Sequence, residues 1–171
     1  MNKKKTPKES EVIMTELVLP NDTNSLRNLF GGRLLHWMDI ASGIAAQRHA
    51  NQVCVTASVD NVSFAEPIRE GDVVTLRAKV TRAFYSSMEI YIEVTSENPR
   101  TQKHIGSNSA YYTFVAVDLE GKKVQIPELV PESAEERKFY ETALQRRELR
   151  LVLAGKMKPH EAHSLKLIFK N

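Results

Sequence analysis

The sequence predicts an α+β domain: an antiparallel sheet wrapped around a long central helix, with an additional C-terminal helix. Three observations carry this. Residues 32–48 form one apolar run with helical spacing, opened by Gly31 and Gly32. About five strand-like segments run on through short turns. No crossover helix separates the later ones, so antiparallel pairing is expected. Ser133 with Glu136 three residues later is a capping box, and it opens a second helix over about 134–154. A sheet of this kind must bury one face. The early helix is apolar nearly all round, so it is the natural core element.

Each element has its own signal. EVIMTELVL, residues 11–19, reads as a first strand, and PNDTNSLRN, residues 20–28, as a loop of turn formers. VCVTASVDNVSF, residues 53–64, alternates well enough for a strand, and AEPIREGD turns the chain with Pro67 and Gly71. In residues 73–82, Val74, Leu76, Ala78 and Val80 alternate with Thr75, Arg77 and Lys79. In residues 87–95, Met88, Ile90, Ile92 and Val94 share a face. NSAYYTFVAV, residues 108–117, makes a further strand, and LEGKK a hairpin-like turn into VQIP. The organisation expected is a disordered basic arm over 1–10, the main domain over 11–132, and a C-terminal helix and tail over 133–171.

Composition sets bounds. The 171 residues suffice for one domain with a proper core. Hydrophobic residues are 42% and charged residues 26%, as in a water-soluble globular protein. No apolar run approaches a membrane span, and no apolar stretch follows the basic N-terminus to make a secretory signal. The single cysteine, Cys54, excludes an intrachain disulfide and points to a reducing, cytoplasmic setting. Net charge is +3 with a pI near 9.0, a weak hint of an anionic ligand. The cations are scattered and no basic–aromatic stripe suggests nucleic acid.

Asp39 stands in the middle of the helical run, where a carboxylate is costly. At 100° per residue, Leu34, Trp37, Ala41, Ile44 and Ala45 fall opposite it and are expected on the sheet. Gly32, Leu35, His36, Ser42 and Gly43 share its side. Most are small or polar, so a ligand or a partner subunit can approach there. Gly31 and Gly32 leave unpaired N–H groups at the helix N-terminus, where the dipole favours negative charge. N–H groups that polarise a carbonyl, together with a carboxylate that handles water, make half of an acyl-transfer site. A solvent-exposed Asp and simple tight packing of the glycines are the structural alternatives.

PNDTNSLRNLFGGRLLHWMD, then CVTASVDNVSFAEPIREGDVVTLRAKVTRAFYSSMEI, resembles the hotdog-fold acyl-CoA thioesterases of the acyl-CoA hydrolase family. The likeness runs from about residue 11 to about 132. Its pieces are P-x-D-x-N, F-G-G, M-D, V-T-A-S-V-D, P-I-x-x-G-D and S-S-M-E. The resemblance implies hydrolysis of a fatty acyl-CoA to free acid and CoA, with no cofactor beyond the coenzyme A of substrate and product. It implies a catalytic pair, Asn24 in the loop and Asp39 in the helix, shared between two subunits; Asn28 is the alternative loop asparagine. It implies a homodimer, assembled as a trimer of dimers, with no nucleic acid or membrane partner. The strand after EGD and the small-residue helix face are expected to need that partner as cover. CoA contacts map onto Ala57, Ser58, Val59, Ser86, Ser87 and Met88. A cationic contact in the late helix maps onto Glu148, so Arg146, Arg147 or Arg150 is left to meet the CoA phosphates.

Other candidates carry less. Cys54 reads as a small buried hydrophobe rather than a nucleophile. His160 and His163 lack a third partner for a metal, and none is expected. His36 either tunes Asp39 or packs beside it. Two further functions remain open: a non-catalytic acyl-CoA-binding regulatory protein on the same fold, and an enoyl-thioester hydratase that would depend on His36.

Overall fold

The structure, a computed structural model, describes residues 4–60, 62–64 and 66–166, with only the backbone of Lys103, Ile105 and Ser107. In chain order the elements are β1 (Lys4–Lys5), α1 (Pro7–Ser10), β2 (Val12–Leu17), α2 (Gly31–Ala50), β3 (Val53–Asp60), β4 (Val73–Ala83), β5 (Ser87–Asn98), β6 (Lys103–Val117), β7 (Glu128–Leu129) and α3 (Ala134–Leu153). The main sheet is antiparallel in the order β2-β4-β5-β6-β3.

Alternation decides the faces. Val74, Leu76, Ala78 and Val80 of β4, and Met88, Ile90, Ile92 and Val94 of β5, all point inward and are at most 1% exposed. Ala110, Tyr112, Phe114 and Ala116 of β6 continue the same surface. Register shifts at Thr56/Ser58, Val80/Arg82 and Val94/Ser96 each insert a bulge. Bulges raise local twist and bend the strand, which curls the sheet around α2.

Helix α2 starts at Phe30, whose side chain offers no capping oxygen, and ends at Asn51 in the left-handed region (φ 53°). Leu34, Trp37, Met38, Ala41, Ser42, Ala45, Ala46, His49 and Ala50 are its buried residues. Four alanines among them let the helix backbone approach the sheet closely. Two expectations fail here. Ile44 is 38% exposed although its wheel position faces away from Asp39, and Ser42, on the Asp39 side, is buried. The curled sheet reaches round only part of the helix and shifts the buried arc, so α2 is not apolar all round.

Helix α3 lies on the other face. Its Phe139 ring packs at a tilt against Tyr91 with centroids 4.7 Å apart, and Tyr91 meets Tyr111 at 5.2 Å. The capping box forms as expected: Glu136 N donates to Ser133 Oγ at 3.1 Å, and Ser133 N donates to Glu136 Oε2 at 3.0 Å.

Two more expectations are corrected. Residues 4–10 are not a solvated arm. β1 pairs in parallel with β7, and α1 packs on α2 and β4 with Pro7 and Ser10 buried. The signal was in the sequence: Thr6-Pro7-Lys8-Glu9 puts a capping residue, a proline and a glutamate where a helix start wants them, and Thr6 N donates to Glu9 Oε2 at 2.7 Å. Residues 1–3 lie outside the described residues. Second, β4 needs no partner subunit, since β2 and β5 flank it. The free edges belong to β2 and β3.

Candidate active site

The loop before α2 is held by its own side chains. Asp22 Oδ1 pairs with Arg33 Nε at 2.9 Å, and Phe30 N donates to Asp22 O at 2.8 Å, which pins the loop to the first turn of the helix. Asn24 Oδ1 accepts from Leu26 N at 2.9 Å and Asn28 N at 3.2 Å. Arg27, at φ 56°, closes this tight turn by donating its N–H to Asn24 O. Because both neighbours of Oδ1 are donors, the orientation of the amide is fixed, and its NH₂ is left facing elsewhere.

Asn24, Asn28 and Gly31 line one cleft of about 390 Å³ with Leu29, Leu34, Phe64, Glu66, Pro67, Ile68 and Asn108. The first bonds into Phe30 O come from Arg33 N and Leu34 N. The N–H groups of Gly31 and Gly32 precede them and have no place in the helix ladder. Gly31 faces the same cleft as the asparagines. Gly32 and His36 line a separate hollow, with Arg33 and Asp22.

Asp39 stands two turns further along and lines neither space. It is half-buried and accepts a hydrogen bond from Thr56 Oγ1 at 2.8 Å. Thr56 pairs with Phe114 and so points to the α2 side of β3, immediately before the bulge. The Tyr112 hydroxyl donates to Leu35 O at a long 3.4 Å. Burial, with the nearby Asp39 charge adding to it, pushes that hydroxyl up to about 12, so it stays neutral. Sequence reasoning missed Thr56, although it adjoins the singled-out Ala57. Only the pairing of β3 beside α2 brings it to the carboxylate.

The CoA candidates fall in two groups. Ala57, Ser58 and Val59 lie at the bulge on the free edge of the sheet; Ala57 and Val59 are exposed, and Ser58 Oγ donates to Asp60 Oδ2 at 3.3 Å. Ser86 and Ser87 are half-buried between β4 and β5, and their carbonyls accept from Ala116 N and Phe84 N. Ser87 pairs with Val115, which pairs with Val55, so the groups are two strand spacings, roughly 10 Å, apart across the sheet. The Met88 side chain is wholly buried, inward by the alternation of β5, so a contact to CoA would have to come through its backbone.

Arg146 already has partners within the chain. Its guanidinium donates to Glu89 Oε1 at 2.8 Å and Oε2 at 3.0 Å, to Phe139 O and to Thr142 Oγ1, and lies 4.2 Å over the Tyr111 ring. That set occupies the guanidinium within the chain, although the side chain stays 20% exposed. Arg150 Nε is 3.5 Å from Asp60 Oδ2, and Glu148 accepts from Leu165 N. Arg147 sits 4.8 Å over the Phe84 ring, beside the Ser86–Ser87 turn.

Burial pushes the Cys54 thiol up to about 11, which suppresses the thiolate a nucleophile needs. His160 and His163 are exposed. Among the described residues no cluster of three His, Cys, Asp or Glu could hold a metal ion.

A five-stranded antiparallel sheet curled round one long helix, with polar groups gathered where the loop enters that helix, defines a hotdog fold. Residues 26–103 match the thioesterase superfamily. The chain is 42% identical over 139 residues to an uncharacterized acyl-CoA thioester hydrolase of Bacillus subtilis, covering 81% of each. It is also 42% identical to the mouse acyl-coenzyme A thioesterase 11 over 90% of its own length, but spans only 26% of that protein. A crystal structure of an apo-hexameric acyl-CoA thioesterase superposes with TM-score 0.86 at 39% identity, over 89% of this chain and 97% of that one. An acyl-CoA hydrolase from Staphylococcus aureus, solved with butyryl coenzyme A, coenzyme A and coenzyme A disulfide, gives TM-score 0.81 at 36% identity, over 90% and 95% of the two chains. That enzyme has also been solved with single aspartate, asparagine and threonine residues replaced by alanine. The chain belongs to the acyl-CoA thioester hydrolases of the thioesterase superfamily.

Proposed function

We propose that the chain hydrolyses the thioester of a fatty acyl-CoA to the free acid and CoA, at a site shared between two protomers. One observation carries the shared site. Asn24 and Gly31 line one cleft, while Asp39 lies outside it, eight residues or roughly 12 Å along the helix from Gly31. A two-fold axis beside α2 and the free edge of β3 would bring the Asp39 of one protomer to the Asn24 cleft of the other. Val59 on the α2 side of β3, with Val53 and Val55 on its outer face, each at least 40% exposed, leave apolar surface along that free edge to bury.

In this reading the thioester carbonyl oxygen is received by Gly31 N–H, with Gly32 N–H beside it, and the Asn24 amide orients carbonyl or water. Asp39, held by Thr56, takes a proton from water as its oxygen bonds the carbonyl carbon. The C–S bond then breaks and the thiolate of CoA takes the proton back. Direct attack by Asp39 through an anhydride is the other route to the same products. Either uses only water and substrate. The spacing of the Staphylococcus aureus alanine variants supports the assignment. Asparagine to aspartate is fifteen positions and aspartate to threonine seventeen, as from Asn24 to Asp39 to Thr56. Asn28 does not fit that spacing.

The pantetheine amides would run along the Ala57–Val59 edge, and Arg147 with Ser86 and Ser87 would meet phosphate. The hexameric neighbour supports a trimer of dimers for this chain. No described helix is long and apolar enough to cross a membrane, and we place the reaction in the cytoplasm.

The test is release of free thiol from acyl-CoAs of several lengths, with Asp39→Asn as control. The near-isosteric change should lower kcat by ~10² or more with the melting temperature held. Wild-type turnover in Asp39→Asn makes the residue structural. Tight binding of acyl-CoA without thiol release makes the protein a non-catalytic acyl-CoA sensor.

A further inference from the structure

We propose that the cleft at the start of α2 is the acyl pocket, that it takes neutral acyl groups, and that Phe64 limits their length. The inference rests on the thioesterase reading above.

The cleft has two ends of different chemistry. Asn24, Asn28 and Gly31 supply the polar end, where a carbonyl would sit. Leu29, Leu34, Pro67 and Ile68 supply the apolar end. Leu29, Leu34 and Ile68 are at most 9% exposed and belong to the packed core, so that wall is rigid. Phe64 differs: it lines the same cleft yet is 52% exposed. Its ring lies across the first residue of the helix. A Cβ on Gly31 would stand 3.5 Å from Phe64 Cζ and 3.6 Å from Cε2. An acyl chain bound through Gly31 N–H therefore runs under this ring.

Phe64 is the ring that a longer acyl chain has to pass. Charge bounds its end. Glu66 lines the cleft and no Lys or Arg does among the described residues. An acyl group ending in a carboxylate would meet a like charge with no cation to offset it.

The experiment measures kcat/KM by thiol release for acetyl-, butyryl-, hexanoyl-, octanoyl-, dodecanoyl-, palmitoyl- and glutaryl-CoA. The full chain is used as wild type, Phe64→Ala and Phe64→Trp, each with a melting curve to confirm folding. Wild-type kcat/KM should rise by about fourfold per added methylene and stop rising before palmitoyl. Glutaryl-CoA should fall at least ~10-fold below hexanoyl-CoA. Phe64→Ala should raise the dodecanoyl-to-butyryl ratio by ~10-fold or more, and Phe64→Trp should lower the octanoyl-to-butyryl ratio. A wild-type rate that climbs through palmitoyl, or ratios unmoved in both folded variants, overturns the pocket and leaves the thioesterase standing. No thiol released from any acyl-CoA overturns both.

Discussion

Arg146→Met removes the cation from a buried pair and tests whether Arg146 holds the fold or the ligand. The Glu89 side chain is 8% exposed and that of Arg146 20%. In the variant Glu89 keeps one bond, from Thr81 Oγ1 at 2.7 Å, and loses both arms of the guanidinium. Phe139 O and Thr142 Oγ1 lose their donor as well. Breaking a buried pair from one side costs about 3–5 kcal/mol. Partial solvent access to Arg146 argues for the lower end, about 3 kcal/mol. For a domain of this size that lowers Tm by about 6–12 °C, read from the fluorescence of the one buried tryptophan, Trp37. Glu89→Gln in the same chain should recover part of the loss, because no bare charge then stays inside. An unchanged Tm with a several-fold higher KM for acyl-CoA would refute this account and return Arg146 to the CoA phosphates.

Asn24→Ala and Asp39→Ala subunits, each inactive alone, should regain up to about half of wild-type activity when co-expressed, since each heterodimer keeps one intact site; equally dead heterodimers would show that the pair does not work in trans. Thr56→Val should lower kcat about tenfold with little change in KM, as the Asp39 carboxylate loses its held position, and Thr56→Ser should restore most of it. Burial holds His49 below its ordinary value of 6.5, so the folded chain resists a proton that the unfolded chain accepts. Its contribution to stability is therefore fully present above pH 6.5 and lost as pH falls, and urea midpoints at pH 5.0 and 7.5 should differ less in His49→Gln than in wild type. Cys54 should react at pH 8 about a hundredfold more slowly than free cysteine, and Cys54→Ser should keep thiol release.

Much of this was legible in the sequence because the physics is local. The alternation of β4 and β5, the capping box at Ser133 and the run from loop into helix that joins Asn24 to Gly31 all act over a few residues. The inward turn of the Met88 side chain was legible too: the pattern that grouped it with Ile90 and Ile92 already set it. What could not be read depends on elements far apart in the chain. Glu89 alternates to the outward face, where a charge reads as solvated, until α3 covers it. Thr56 meets Asp39 only because β3 runs beside α2. The bulges at Ala57 and Thr81, which help curl the sheet and so shift the buried arc of α2 past Ile44, carry no glycine or proline to announce them; of the three, one has a glycine, Gly106.

The order of the strands also carries a history of assembly. β4, β5 and β6 are joined by short connections and form a meander from local contacts. β3 must find β6 across the chain, Val53 against Val117 and Asp60 against Tyr111, and closing so long a loop is entropically slow. β2 must find β4 over a similar span, Val12 against Ala78, and both of these strands keep their other edge open. A protomer in which β3 is only loosely docked would gain that strand's order if a second chain paired with it as proposed above. Refolding should accordingly show a final phase whose rate rises with protein concentration. Dilution should slow the recovery of enzyme activity without slowing the burial of Trp37, so that becoming a dimer and finishing the fold are one event.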